Sequence, residues 1–156
     1  MKLWTIRFDG LCEPANPGGW MCWGYIAIAP DGSRREGMGS VPPHPSNTNN
    51  NAEWHALGHA LRAVSELGGT PAPLVIEGDS QLVVHQFNGK WACNKDLHRA
   101  YRDRCRELAN AIARGQTTEA RWIPREQNEE ADSLTRAAYV EATGKQPPER
   151  SRRKAG

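Results

Sequence analysis

Hydrophobic periodicity changes along this chain from a two-residue repeat to one of about 3.6 residues and back again, and the order of those changes constrains the fold more than any other feature. In KLWTIRFD, residues Lys2 to Asp9, Trp4, Ile6 and Phe8 alternate with other residues as in a strand ending at Asp9-Gly10. The Pro-, Asn- and Gly-rich stretch Glu13 to Gly19 reads as a turn, and Trp20 to Ala29 as a second strand. Asp31-Gly32 is a hairpin signal that leads into a third strand, Ser33 to Val41. A loop through Pro42, Pro43 and Pro45 reaches Asn51, where Leu57, Ala60, Leu61, Val64 and Leu67 begin a helical stripe that stops at Gly68-Gly69. Leu74 to Glu77 is a short buried strand, followed by a short helix from Ser80 to Phe87 capped by Asp79 or Ser80. The spacing predicts a long helix from about Asn94 to Arg114, with Leu97, Tyr101, Cys105, Leu108 and Ile112 on one side and Lys95, Arg99, Arg102 and Arg106 on the other. Glu119 to Ile123 reads as a last strand, and Asn128 as the cap of a final helix reaching about Ala142.

Three strands, a helix, a strand, two helices, a strand and a helix fit an α/β fold with one five-stranded mixed sheet. The first three strands form an antiparallel meander, two parallel strands join through right-handed crossovers, and helices cover both faces. With 156 residues the chain suits one domain with a core of its own. No apolar run approaches the roughly 18 residues of a membrane span, and the N-terminus lacks a signal-peptide pattern, so a cytoplasmic protein is expected. Cys12, Cys22, Cys93 and Cys105 form no C-x-x-C pair and read as reduced, buried thiols. The segment from Lys145 to Gly156 holds five basic residues and one acidic, which leaves 15 basic and 17 acidic residues in 1–144. The expected division is a globular domain over 1–143 and a basic, disordered tail over 144–156. Affinity for a polyanion must then come from local clusters and bound cations.

Asp9 and Asp79 fall at or near the ends of apolar strands. If those strands are parallel neighbours, both acids meet at the carboxyl edge, where open α/β sheets place their sites. Glu53 shares the inward stripe of its helix, in the first turn, and Asp132 stands in the first turn of the last helix, so both could approach the same edge. Taken singly, each acid also reads as a helix cap or solvated turn. Taken together, four carboxylates repel one another and call for divalent cations that prefer oxygen, with Mg2+ the natural candidate.

FDG at Phe8 to Gly10, ANPGG at Ala15 to Gly19, TNNNAEWHAL at Thr48 to Leu57, GDSQLVV at Gly78 to Val84 and NEEADSLTRAA at Asn128 to Ala138 carry a resemblance. Across about residues 2–142 the chain resembles type 1 ribonuclease H. The resemblance implies a ribonuclease H-like fold and an endonuclease that hydrolyses the RNA strand of an RNA–DNA hybrid, leaving 5′-phosphate and 3′-hydroxyl ends. It implies that Asp9, Glu53, Asp79 and Asp132 hold two Mg2+ ions, Mn2+ being a possible substitute, with Asp9 bridging the pair. Asn49, Asn50 and Gln81 match minor-groove contacts, where amides can hydrogen-bond ribose 2′-hydroxyls. Gly10 would let the backbone approach the substrate closely. A monomer without an obligate protein partner is expected by the same resemblance.

The chain departs from the family pattern in two places. Many members carry a histidine in the loop before the last aspartate, whereas Ile123 to Glu130 (IPREQNEE) has none; Arg125 or Glu126 stands near that position, and slower activity is expected. The basic protrusion of some members is also missing, and Asn88 to Lys95 offers only Lys90, Trp91 and Lys95 as a reduced contact to the DNA strand, with simple packing of Trp91 as the alternative. Arg150, Arg152, Arg153 and Lys154 could add phosphate attraction. His55 and His59 have the H-x-x-x-H spacing but lack the glutamate that a zincin needs. Two other functions fit the same residues: a noncatalytic nucleic-acid-binding module, which four intact acids disfavour, and a nuclease for duplex RNA or a DNA junction.

Overall fold

The computed structural model describes residues 2–149. Strands β1 (Trp4–Glu13), β2 (Trp20–Ile28) and β3 (Arg34–Val41) form the antiparallel meander, and helix α1 (Asn49–Leu67) crosses to β4 (Leu74–Gly78). Helices α2 (Gln81–Phe87) and α3 (Asp96–Ala113) lead to β5 (Thr118–Trp122), and α4 (Glu129–Thr143) follows a short 3₁₀ turn at Arg125–Gln127. The sheet order is β3-β2-β1-β4-β5, with β4 parallel to both β1 and β5. One boundary differs in a way that matters. β1 does not end at Asp9-Gly10; it stays paired with β2 from Thr5↔Ile28 through Glu13↔Trp20, because Gly10 is held flat between its neighbours and does not turn. The part of the basic tail from residue 150 onward lies outside the described residues.

Alternation along β1 sends Trp4, Ile6 and Phe8 into the main core, where they meet Trp54, Leu57 and Leu61 of α1, Val83 and Phe87 of α2, and Cys105 and Leu108 of α3. The opposite face carries α4, whose Ala138 and Tyr139 pack on Leu11 and Cys22. The sheet is thus covered on both faces, as the element order predicts. Two glycines set how closely the helices lie. A Cβ on Gly10 would come within 2.5 Å of the Glu53 backbone nitrogen, and one on Gly24 within 2.6 Å of the Leu134 Cβ and 2.9 Å of the Ala131 carbonyl oxygen. All four cysteines are buried and free. No helix among the described residues is long and apolar enough to cross a membrane.

The predicted α3 stripe holds at Cys105, Leu108 and Ile112, with Tyr101 half-buried, and departs only in the first turn. Leu97 is 46% exposed while its neighbour His98 is only 5% exposed, so the first turn of the helix turns a polar ring inward and an aliphatic side chain outward. His98 meets the Asn51 amide of α1 at 2.9 Å. Farther along the same interface His55 bonds the Tyr101 hydroxyl at 2.9 Å, and toward the sheet His59 stacks on Trp23 of β2 with ring centroids 3.9 Å apart.

Two outcomes follow for stability. Gly24→Ala forces α4 off the sheet and lowers the urea midpoint by the equivalent of about 1–3 kcal/mol, the usual cost of overpacking; an unchanged midpoint contradicts the close approach. Burial pushes the imidazoles of His55, His59 and His98 below their ordinary value of 6.5, with the neighbouring charges of His55 and Arg62 adding to the effect at His59 and that of Lys95 at His98. The unfolded chain therefore takes up these protons first, so their contribution is fully present above pH 6.5 and is lost as pH falls through the lower folded values. Urea titrations across that window should show stability falling, and replacing His55 and His59 by glutamine should flatten the slope.

Candidate active site

Three acids meet at the carboxyl edge of the sheet because β4 stops while β1 continues. β4 pairs with β1 only from Trp4↔Leu74 to Phe8↔Gly78. Beyond Phe8, the side of β1 that β4 covered is open, and Asp9 lies at that step. Asp79 follows Gly78 at once, and its position is fixed from β5: the Ile123 amide donates to the Gly78 carbonyl at 2.9 Å and the Trp122 indole to the Asp79 carbonyl at 3.2 Å. Glu53 comes from α1, and its Oε1 accepts from the Gly10 amide at 3.0 Å. Carboxylate oxygens of Asp9, Glu53 and Asp79 lie within 4.8 Å of one another. Asp9 and Glu53 are buried and Asp79 is half-buried.

One expectation about these acids needs correction. α1 starts at Asn49, not Asn51, because Thr48 caps it by accepting from the Asn51 amide, so Glu53 lies beyond the first turn, and the direct Gly10 hydrogen bond replaces the supposed helix-dipole effect. Asp132 stands in the first turn of α4, as predicted, yet outside the group whose oxygens fall within 4.8 Å. α1 lies on one face of β1 at Gly10, whereas α4 lies on the other face over Gly24, the register partner of Asp9.

Asn128 is the residue whose part the sequence concealed. It occupies the position preceding α4, but its side chain makes no capping bond; Nδ2 instead donates 2.8 Å to the Phe8 carbonyl, 120 positions away in sequence. The start of α4 is thereby fastened to β1 one residue before Asp9. A buried asparagine four residues ahead of an acid was the only available signal, and it is also the ordinary signal for a helix cap.

The other predicted residues divide into several groups. At Gly10 the backbone of Ala52 and Glu53 in α1 lies where a side chain would be. Asn49 and Asn50 open α1, with Asn50 exposed and the Asn49 Oδ1 accepting from the Cys12 amide at 2.8 Å. Gln81 is half-buried at the start of α2, next to Ser80, which caps that helix through the Val83 amide. Lys90 is exposed, and Trp91, 44% exposed, rests on His85 with ring centroids 4.6 Å apart. Arg125 begins the 3₁₀ turn and is half-buried. Of the basic side of α3, Arg106 donates to the Phe87 and Gln86 carbonyls at the end of α2, and Arg99 to those of Cys93 and Asn94, so both close off backbone ends.

A β3-β2-β1-β4-β5 sheet with helices on both faces and a carboxylate group at the end of its central parallel pair defines the ribonuclease H-like class of α/β proteins. Residues 23–138 match the family described as reverse transcriptase-like. An uncharacterised Bacillus subtilis protein is 38% identical over 85% of this chain, and Halobacterium salinarum ribonuclease HI is 36% identical over 86% of it. The chain spans 57% and 63% of the lengths of those two relatives. The crystal structure of a Halobacterium salinarum RNase H1 superposes with a TM-score of 0.75 at 32% identity, covering 88% of this chain and 98% of that one. The chain belongs to the type 1 ribonuclease H family.

The donor set fits a hard divalent cation, because it offers carboxylate oxygen alone, the ligand that Mg2+ and Mn2+ prefer. Three carboxylates this close also repel one another when no cation is bound. Asp9→Asn should therefore raise the melting temperature in EDTA and abolish the rise that Mg2+ or Mn2+ produces in the native protein. Equal metal-induced shifts in both proteins would remove Asp9 from the ligand set.

Proposed function

We propose that this chain is an endonuclease that hydrolyses the RNA strand of RNA–DNA hybrids, with Asp9, Glu53, Asp79 and Asp132 holding two divalent ions, Mg2+ or Mn2+ in its place. The observation that carries the reading is the meeting of the Asp9, Glu53 and Asp79 carboxylates where β4 stops. When bound, such ions supply an activated water and neutralise charge on the leaving oxygen. The residues of the chain then have to position and hold. Glu53 is anchored by the Gly10 amide, Asp79 by a backbone fixed to β5, and Asp132 by the Asn128 link to Phe8, so little reorganisation remains for the reaction itself. Attack of water at phosphorus forms the new P–O bond as the P–O3′ bond breaks, which leaves a 3′-hydroxyl on the upstream fragment and a 5′-phosphate on the downstream one. No serine, cysteine or histidine nucleophile is required.

Asn49, Asn50 and Gln81 would read the RNA strand. Since the Asn49 carbonyl oxygen already serves the Cys12 amide, its amide hydrogens are what it offers to a ribose oxygen. Lys90 and Trp91 would contact the DNA strand, with Arg125 supporting in the loop that lacks a histidine. We assign this activity to residues 1–143, acting as a monomer in the cytoplasm, with 144–156 adding phosphate attraction. The name ribonuclease HI of the Halobacterium relative supports the substrate.

Labelled RNA–DNA hybrid, duplex RNA and duplex DNA, each incubated with the native chain and Asp79→Asn, test the reading. Only the RNA of the hybrid should be cut, only with Mg2+ or Mn2+, giving fragments whose 5′-phosphates accept ligation. Asp79→Asn should lose at least about a hundredfold in rate, the scale of removing one preorganised electrostatic group. Equal cutting by both proteins ends the mechanism, and cutting of duplex RNA at a similar rate reassigns the substrate.

A further inference from the structure

The first turn of α3 turns its polar side inward and its apolar side outward. A histidine is buried there while the adjacent leucine faces solvent, an arrangement that costs stability unless the ring is satisfied. The partner of His98 is Asn51, itself buried, in the first turn of α1. The orientation of that amide follows from its other bond: Asn51 Nδ2 donates to the Ser46 carbonyl at 2.9 Å, so Oδ1 is the atom facing α3. His98 must then donate through Nε2–H. The Asn51 backbone amide is also fixed, donating to the Thr48 hydroxyl at 3.0 Å. One side chain thus ties the 46–48 loop, the opening turn of α1 and the opening turn of α3 together.

These two turns belong to different parts of the proposed substrate surface. Asn49 and Asn50, directly before Asn51, would face the RNA strand. Lys90 and Trp91 lie on the segment that runs into α3, and that segment is fastened to α3 by Arg99, whose guanidinium donates to the Cys93 and Asn94 carbonyls at 3.0 and 2.8 Å. Between the turn and the segment, the His98 to Asn51 hydrogen bond is a direct side-chain link, 47 positions apart in sequence. We propose that His98 is a positioning residue that fixes the spacing between the RNA-facing and DNA-facing contacts, and so sets the affinity for hybrid without taking part in hydrolysis. The inference rests on the hybrid-cleavage reading above. It requires the Nε2 donor in particular, and that makes it separable from a simple packing role.

Steady-state cleavage of hybrid by His98→Gln, His98→Asn and His98→Phe tests it. Glutamine places an amide N–H near the Nε2 position, asparagine places its amide near Nδ1, and phenylalanine keeps the ring but leaves the Asn51 oxygen without its donor. His98→Phe and His98→Asn should raise KM by about two- to tenfold, the range an intramolecular hydrogen bond is worth, while kcat stays within about twofold; His98→Gln should restore KM. If His98→Phe fails to fold, the glutamine and asparagine pair decides alone. Equal KM values for those two variants, or a loss confined to kcat, overturn the proposal. A native chain that leaves hybrid uncut instead overturns the function on which the proposal rests, whereas an active native chain with KM unmoved by the variants overturns the positioning role only.

Discussion

The site depends on how closely α1 lies against β1 at Gly10. Any side chain there would collide with the backbone at Ala52 and Glu53, so the absence of a Cβ lets a helix rest directly on a strand. The same contact brings the Gly10 amide to the Glu53 carboxylate. A carboxylate buried in this way is held by a backbone donor and is set beside Asp9 before any ligand arrives. Because β4 stops at Phe8↔Gly78, the carboxylates have a space in which to meet that an extended β4 would occupy.

The second face is built by an analogous device. α4 settles over Gly24, and Asn128 fastens its beginning to the Phe8 carbonyl. Phe8 is thus a junction: its ring lies against Gly78 of β4, its carbonyl holds α4, and the next residue is Asp9. The ion pair between Arg34 and Glu130 adds a surface link from β3 to α4, of the exposed kind that contributes little to stability. Helices α1 and α4, which carry Glu53 and Asp132, therefore lie against opposite faces of the sheet.

Charge is used differently here than a simple basic-surface picture suggests. Arg99 and Arg106 look like a phosphate-binding side of α3 in the sequence, but they satisfy carbonyls at the end of α2 and along the segment leading into α3. Hydrogen-bonding to those carbonyls orders the segment that carries Lys90 and Trp91. These two guanidiniums keep their charge but spend hydrogen-bond donors on the backbone of their own chain.

Local pattern was enough for the elements and their order, since strand and helix periodicities and turn residues act over a few neighbours. The meander, the crossover through α1, the five-stranded sheet and the grouping of Asp9, Glu53 and Asp79 were all legible in this way, and the family motifs tied them to one fold. The length of β1 past Asp9 was not, because its continuation depends on pairing with β2. Nor were the buried His98, the exposed Leu97 and the true partner of Asn128, each of which is settled by a residue tens of positions away or more. The sequence by itself determined which acids could form a site. Tertiary structure decided that Asp9, Glu53 and Asp79 close on one point and that α1 and α4 lie on opposite faces of the sheet, because helix approach is set by glycine contacts and long-range hydrogen bonds that no local spacing encodes.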